Sequence, residues 1–215
     1  MRKTTSAKDT FVINSLRNDG NMTIVNCRTP FPLKLRVIDM THNKKGWEYD
    51  TSAKVYKELK SRGIPISGEM ETPKSIKDLE LSLDGDFSAL LIFAHGAKSE
   101  DAITADELSI TGNWFLFSKL NVDLSDKFVS LCICEGFCQD MIDSLIKGDL
   151  FALTVMASRQ EIGEDEGFRF FPVFYEILAG RTTSYIDPND VRDCMNIANS
   201  LAENKMQVYS DCLSE

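Results

Sequence analysis

The sequence predicts an α/β fold, a three-layer sandwich in which helices cover both faces of a mostly parallel sheet. Three continuously apolar runs carry this prediction, because strands covered on both faces have this appearance: 88–94 (SALLIFA), 128–133 (FVSLCI) and 151–157 (FALTVMA). Around these runs, apolar residues recur at helical spacing. Strands that alternate with helices form right-handed βαβ units, and such units build parallel sheets.

The elements of the N-terminal half follow from local signals. Residues 32–40 alternate and then become apolar, which predicts a strand. Apolar residues at helical spacing over 51–62, followed by a glycine, predict a helix that ends there. A short strand is expected over 64–70. Thr72 and Pro73 then have the residue types of an N-cap and a first helical position, which predicts a short helix after them.

The C-terminal half continues the alternation. A polar segment over 101–120 is expected to contain a hairpin or a short helix. The apolar spacing after the second buried strand predicts a helix that begins at about Glu135. The third buried strand leads into an acidic loop at 158–167. The remaining predicted elements are a helix that ends at Gly180, a helix opened by Asp187 and Pro188, and a short strand at 206–210.

Composition excludes several classes of protein. For 215 residues one domain, 1–215, is the default, with 1–30 as an irregular or hairpin extension. The formal net charge of −9 argues against a nucleic-acid or anionic-membrane partner, because clustered cations bind those surfaces. No signal-peptide apolar region and no run of the roughly 18 residues that a membrane span needs are present. A cytoplasmic protein with reduced cysteines is therefore expected.

A histidine and a cysteine follow two of the buried strands. His95 and Gly96 come after the first run, and Cys134 comes after the second. Carboxyl ends of parallel strands share one edge of a sheet, where catalytic groups collect. A helix N-terminus beside Cys134 favours its thiolate form, and His95 can move a proton. Backbone N–H groups of Gly96 and Cys134 are candidates for an oxyanion hole.

The two strand ends resemble a known family. The sequences FAHG at 93–96 and SLCICEG at 130–136 resemble the caspase-like cysteine peptidases of clan CD, especially the bacterial CHAT branch. The resemblance implies the caspase–hemoglobinase fold, with His95 as the catalytic histidine and Cys134 as the nucleophile. It also implies that Ala157 and Ser158 line the substrate cradle. The implied reaction is endopeptidase cleavage of a protein through a thioester, and it needs no metal or organic cofactor.

The acidic segment departs from the caspase pattern. Where caspases have an arginine-bearing stretch, this chain has EIGEDEGFRF, which includes Glu164 and Asp165. An aspartate-specific pocket needs guanidinium groups, so a basic residue before the cleaved bond is the electrostatically consistent expectation, with Glu164 and Asp165 as substrate-binding residues. A solvated acidic loop remains the alternative interpretation.

Other interpretations of the cysteines and of the fold stay open. Instead of catalytic roles, Cys134 and His95 could have packing roles. Cys132 is expected to lie in the core. Cys132, Cys134 and Cys138, with His95, form a rival metal site, although their spacing differs from that of structural zinc sites. A catalytically inactive scaffold module is the non-enzymatic alternative. The family also implies a regulatory partner or activating complex, latency, a possible homodimer and a possible role in bacterial antiviral defence.

Overall fold

The computed structural model describes ten segments of the chain. These are residues 32–41, 47–95, 107–110, 113–134, 139–147, 150, 152–158, 162–182, 184–202 and 206–210. The predicted N-terminal extension at 1–30 lies outside them. None of the described helices is long and apolar enough to cross a membrane.

The described strands form one large sheet and one hairpin. In chain order they are β1 (Leu35–Asp39), β2 (Ala89–Phe93), β3 (Glu107–Ile110), β4 (Asn113–Leu116), β5 (Phe128–Cys132), β6 (Thr154–Ser158) and β7 (Met206–Tyr209). The sheet has the order β1-β2-β5-β6-β7. Strands β1, β2, β5 and β6 are parallel, and β7 pairs antiparallel with β6. The mostly parallel sheet and the hairpin within 101–120 are therefore confirmed.

Helices cover both faces of this sheet. They are α1 (Trp47–Ser61), α2 (Ile76–Leu83), α3 (Gln139–Ile142), α4 (Glu164–Arg181) and α5 (Pro188–Ala202). A 3-10 turn at Phe117–Lys119 follows the hairpin, and a π-helical turn at Asp143–Lys147 extends α3. One core lies between the sheet and α1, α4 and α5, and the other lies between the sheet and α2, α3 and these turns. This arrangement confirms the three-layer sandwich.

The second strand shows why the central runs are apolar without a break. Leu91 and Phe93 belong to the core under α1 and α4, whereas Leu90 and Ile92 belong to the core under α2 and α3. Successive side chains of a strand point to opposite faces, so a strand covered on both faces buries every residue. All five residues of β2 are buried.

The segment after α1 differs from its prediction. The predicted strand over 64–70 runs beside β1 but forms only an isolated bridge, from Ile66 to Leu35, and a second bridge, from Glu71 to Ile38, follows it. Two residues explain why this segment is not a regular strand: Pro65 has no N–H to donate, and Gly68 adopts a φ of +78°. The backbone still covers the outer edge of β1, since Ser67 N–H donates to Leu35 O at 2.7 Å.

Two helix starts also differ from their predictions. Helix α2 follows Ser75, whose hydroxyl accepts the Asp78 N–H at 3.1 Å, so the cap lies three residues after Thr72. Helix α1 starts at Trp47, four residues before the predicted range. The predicted start at Glu135 lies outside the described residues, and the helix is seen from Gln139.

The acidic segment predicted as a loop over 158–167 is partly helical, which is the main correction. Helix α4 begins at Glu164, and the Glu166 carboxylate accepts the Gly163 N–H at 2.8 Å. Acidic side chains stabilise a first helical turn because of the partial positive charge there. At the other end, α4 passes Gly180 and ends at Arg181, where the Thr182 N–H donates to Leu178 O at 2.9 Å.

Candidate active site

The ends of β2 and β5 bring the predicted catalytic residues to one edge of the sheet. Phe93 is the register partner of Cys132, and Ala94 N–H donates to Cys132 O at 3.4 Å. His95 comes two residues after Phe93, and Cys134 comes two residues after Cys132. The two residues therefore occupy corresponding positions just beyond neighbouring parallel strands.

The side chains at these positions differ in their access to solvent. Cys134 is exposed and His95 is partly exposed. A thiol in this position is open to an incoming carbonyl group, and a partly exposed imidazole can exchange protons with water or with a bound group. Gly96, predicted for the oxyanion hole, lies outside the described residues.

Cys132 lies behind this pair and packs against the core, as predicted. Burial raises the pKa of its thiol, and the nearby Cys134 and Asp39 act in the same direction. A Cβ built at Gly167 in the first turn of α4 would lie 3.4 Å from Cys132 Sγ and 3.6 Å from Thr51 Cγ2. The N-terminal turn of α4 therefore sits on the end of β5, close to where the chain leads to Cys134.

Asp39 is a residue of this edge that sequence reasoning missed. It is the register partner of Phe93, so Asp39, Phe93 and Cys132 form one row across three strands. Its carboxylate is fully buried and accepts bonds from Thr41 N–H at 2.9 Å, Thr41 Oγ1 at 2.6 Å and Ser52 Oγ at 2.9 Å. An acidic residue directly after the apolar residues Val37 and Ile38 was the available signal.

The predicted substrate-binding residues lie on β6 and on the start of α4. Ala157 and Ser158 are both buried, and Ser158 is the register partner of Met206 in β7. Asp165 is exposed in the first turn of α4. The side chain of Glu164 lies outside the described part of the chain. The Glu166 carboxylate accepts the Gly163 N–H at the start of α4. Of the acidic side chains described in this turn, Asp165 is therefore the one that is exposed and not used by the cap.

The rival metal site cannot be assembled from the described side chains. Among them, no group of three or more histidine, cysteine, aspartate or glutamate residues is close enough to hold a metal ion. Cys138, the third cysteine of that hypothesis, lies outside the described residues.

Comparison with known proteins finds a similarity in fold. No protein-family model matches the sequence, and no curated protein matches it. Among solved structures, the chain is similar to the crystal structure of the Arg-specific cysteine proteinase gingipain R, with a TM-score of 0.50 and 12% sequence identity. The match covers 86% of this chain and 47% of the gingipain R chain, so this chain spans about half the length of that protein.

The similarity extends over most of the sandwich and shows the fold. Gingipain R is a clan CD cysteine proteinase, and its caspase–hemoglobinase α/β fold is the fold expected from the two strand-end motifs. At 12% identity, the roles of individual side chains have to be argued from their own positions.

Proposed function

We propose that the chain is a cysteine endopeptidase that cleaves a protein substrate with Cys134 as nucleophile and His95 as proton carrier. The observation that supports this most directly is the parallel register of Phe93 with Cys132, because it aligns the two strands that lead to His95 and Cys134. The exposure of Cys134, beside a Cys132 that is packed in the core, adds to it.

The proposed reaction has two steps. The Cys134 thiol gives its proton to His95, its sulfur forms a bond to the carbonyl carbon of the substrate, and the oxyanion accepts bonds from the N–H groups of Cys134 and Gly96. His95 gives a proton to the leaving amine as the C–N bond breaks. A water molecule then attacks the thioester, His95 takes a proton from that water, and the thiolate of Cys134 leaves. Neither step requires a cofactor.

A basic residue before the cleaved bond is part of the proposal. Asp39 supports it: its carboxylate is buried one strand away from Phe93, and no described lysine or arginine forms an ion pair with it. The carboxylate is fully buried and already accepts three hydrogen bonds, so it would favour a substrate cation through the electrostatic field at this edge and not by direct contact. Asp165 and Glu164 would extend the acidic surface, whereas Ala157 and Ser158 are buried in β6 and would have to be uncovered to border the substrate. Gingipain R, whose structure is similar, is described as Arg-specific.

Regulation and biological setting extend the same proposal. The two strand-end motifs favour the CHAT branch of clan CD, whose members are commonly held inactive until a regulatory partner or ligand acts. We propose that the peptidase is latent until a protein partner activates it, and that it forms a homodimer. We also propose that 1–215 is a single domain, that the protein is cytoplasmic, and that it acts in bacterial antiviral defence. The alternative is an inactive scaffold module with the same fold.

The proposal is tested by covalent labelling. Wild type and the variants Cys134→Ala, His95→Ala and Cys194→Ala are incubated with peptidyl acyloxymethyl ketones that carry Arg, Lys, Leu or Asp before the reactive group, and labelling is read by intact mass. Labelling of wild type and Cys194→Ala, lost in Cys134→Ala and slowed in His95→Ala, is the expected result. Preference for Arg or Lys supports the basic specificity.

Two outcomes contradict the proposal. Equal labelling of wild type and Cys134→Ala would remove Cys134 as the nucleophile. No labelling with any probe, even at high probe concentration and after addition of cell extract as a source of activators, would favour the inactive scaffold.

A further inference from the structure

Helix α2 has an exposed leucine between two depressions. Leu81 is 65% exposed and lines both of them. One depression, of about 370 Å³, lies between α2 and the segment 121–123, and the other, of about 450 Å³, lies between α2 and the segment 71–74. We call these two depressions and Leu81 the α2 groove.

The α2 groove lies away from the candidate active site. Leu79 and Leu83 anchor α2 in the core that contains Ile38 and Ile92, whereas Phe93 and Cys132 belong to the core on the other face of the sheet. A molecule bound in the α2 groove would therefore leave the surroundings of Cys132 free.

The walls of the α2 groove are held by hydrogen bonds. The Asn121 N–H donates to Glu80 at 2.9 Å, which joins the segment 121–123 to α2. The Ser125 N–H donates to Asp123 at 2.8 Å, and the Lys74 N–H donates to Asp78 at 3.2 Å. These bonds fix the positions of the walls, which lowers the entropic cost of binding.

The charge of the walls indicates what would bind there. Five carboxylates line the groove. Glu71 forms an ion pair with Arg36, whereas the other four form none with another described residue: Asp78, Glu80, Asp84 and Asp123. Hydrogen bonds from the hydroxyl and the N–H of Ser125 lower the pKa of Asp123, so it stays charged. Lys74 and Lys77 are the opposing cations, which leaves an excess of negative charge around the apolar Leu81.

We propose that the α2 groove binds a peptide segment of a partner protein in which an apolar side chain is flanked by lysine or arginine. The apolar side chain packs against Leu81, and the flanking cations face the carboxylates on both sides. This docking surface is additional to the proposed peptidase site and does not depend on it.

The test uses the Cys134→Ala protein, which removes cleavage as a complication. Phage-displayed random peptides of about 12 residues are selected on it. The selected peptides are then synthesised with fluorescein, and binding is measured by fluorescence anisotropy. The expected peptides contain an aliphatic or aromatic residue next to Lys or Arg. Their affinity should fall about tenfold or more with Leu81→Ser and severalfold with Asp84→Asn.

Matched surface variants separate the α2 groove from general attraction to an acidic protein. Leu201 on α5 is 68% exposed and Asp193 is also on the surface of α5, so Leu201→Ser and Asp193→Asn should leave binding unchanged. Far-UV circular dichroism establishes that every variant is folded.

Three results would overturn the docking proposal. The first is a selection that yields no basic–apolar peptides. The second is a set of peptides that bind Leu81→Ser as well as wild type. The third is a sedimentation measurement in which the chain forms a dimer that Leu81→Ser dissociates, since a second copy would then occupy the groove. Loss of the peptidase proposal alone would leave all three measurements unaffected.

Discussion

Tyr175 on α4 and Ser130 on β5 share a buried hydrogen bond of 2.5 Å between their hydroxyl oxygens. The Ser130 hydroxyl donates to Leu90 O at 2.9 Å, so the Tyr175 hydroxyl is the donor in this bond. Burial raises the pKa of Tyr175, which keeps the hydroxyl protonated. The bond connects α4 to the strand that leads to Cys134, and it does so from within an otherwise apolar core.

Removing one partner of this bond should lower the free energy of unfolding more than removing the other. Ser130→Ala leaves the buried Tyr175 hydroxyl without its acceptor, and we expect a loss of about 1–3 kcal/mol in the free energy of unfolding. Tyr175→Phe leaves Ser130 bonded to Leu90, so its expected cost is about 1 kcal/mol. Urea unfolding measures both values. A larger cost for Tyr175→Phe than for Ser130→Ala would contradict the assigned donor and acceptor.

Two glycines within α4 should be replaceable by alanine with a gain in stability. Neither has a positive φ, and a Cβ at Gly180 meets no atom within 4 Å. At Gly167 the nearest atom, Cys132 Sγ, is at 3.4 Å, which is an ordinary contact. Helix propensity then predicts a gain of up to about 1 kcal/mol for each variant.

Thermal unfolding of Gly167→Ala, Gly180→Ala and the double variant checks this expectation. The two positions lie at opposite ends of α4 and should therefore be additive. Gly167→Leu serves as the contrast, because its larger side chain has no room against Cys132. A loss of stability in Gly180→Ala would show that the end of α4 needs a glycine for another reason.

Alkaline pH should destabilise the protein, in part through Cys194. Burial raises the pKa of this thiol to about 11 from an ordinary value of 9.0. The folded state therefore holds the proton more tightly than the unfolded state, so this contribution is intact below about pH 9 and is lost as pH rises toward 11. The raised pKa values of Cys132 and Tyr175 act in the same direction.

Urea unfolding between pH 8 and 11 measures the effect, with Cys194→Ala as the comparison. The variant should lose less stability per pH unit than wild type, whatever its stability at pH 8. Parallel pH dependences for the two proteins would show that Cys194 does not lose a proton on unfolding in this range.

Asp39 should influence substrate preference more than stability. In Asp39→Asn the amide oxygen can still accept the Thr41 N–H, and the amide nitrogen can donate to Ser52 Oγ, so the local hydrogen bonds have a substitute. Because Asp39 acts through its field and not by contact, we expect the labelling rate with an Arg probe to fall severalfold, and the rate with a Leu probe to change little. Equal losses with both probes would indicate a structural role for Asp39.

Features of the fold that depend on local pattern were predictable. A strand covered on both faces, such as Ala89–Phe93, needs apolar side chains at every position. An unbroken apolar run can be recognised in the sequence alone. The positions of His95 and Cys134 at one edge follow from the same pattern, because parallel strands end on the same side. The cap at Asp187 was also visible, and the Asn189 N–H donates to it at 2.9 Å.

Features that depend on tertiary neighbours were not predictable. Asp39 joins the candidate site because β1 lies beside β2, and the strand order is not encoded in any local pattern. The start of α4 was missed because a run of acids is as typical of a solvated loop as of a first helical turn. The hydrogen bond from the Gly163 N–H to the Glu166 carboxylate favours the helical turn over the loop. Local sequence does not reveal whether this bond forms.

The parallel register also determines when the candidate site can form during folding. Leu35 pairs with Ala89, and Ala89 pairs with Phe128, so each strand meets a neighbour that is 39 or 54 residues away along the chain. Closing such long loops precedes the gain from pairing, which makes parallel sheets slow to fold. During synthesis, β2 can pair with β1 first, but His95 has no strand end with Cys134 beside it until β5 has emerged. The core over Cys132 is closed only when α4 follows.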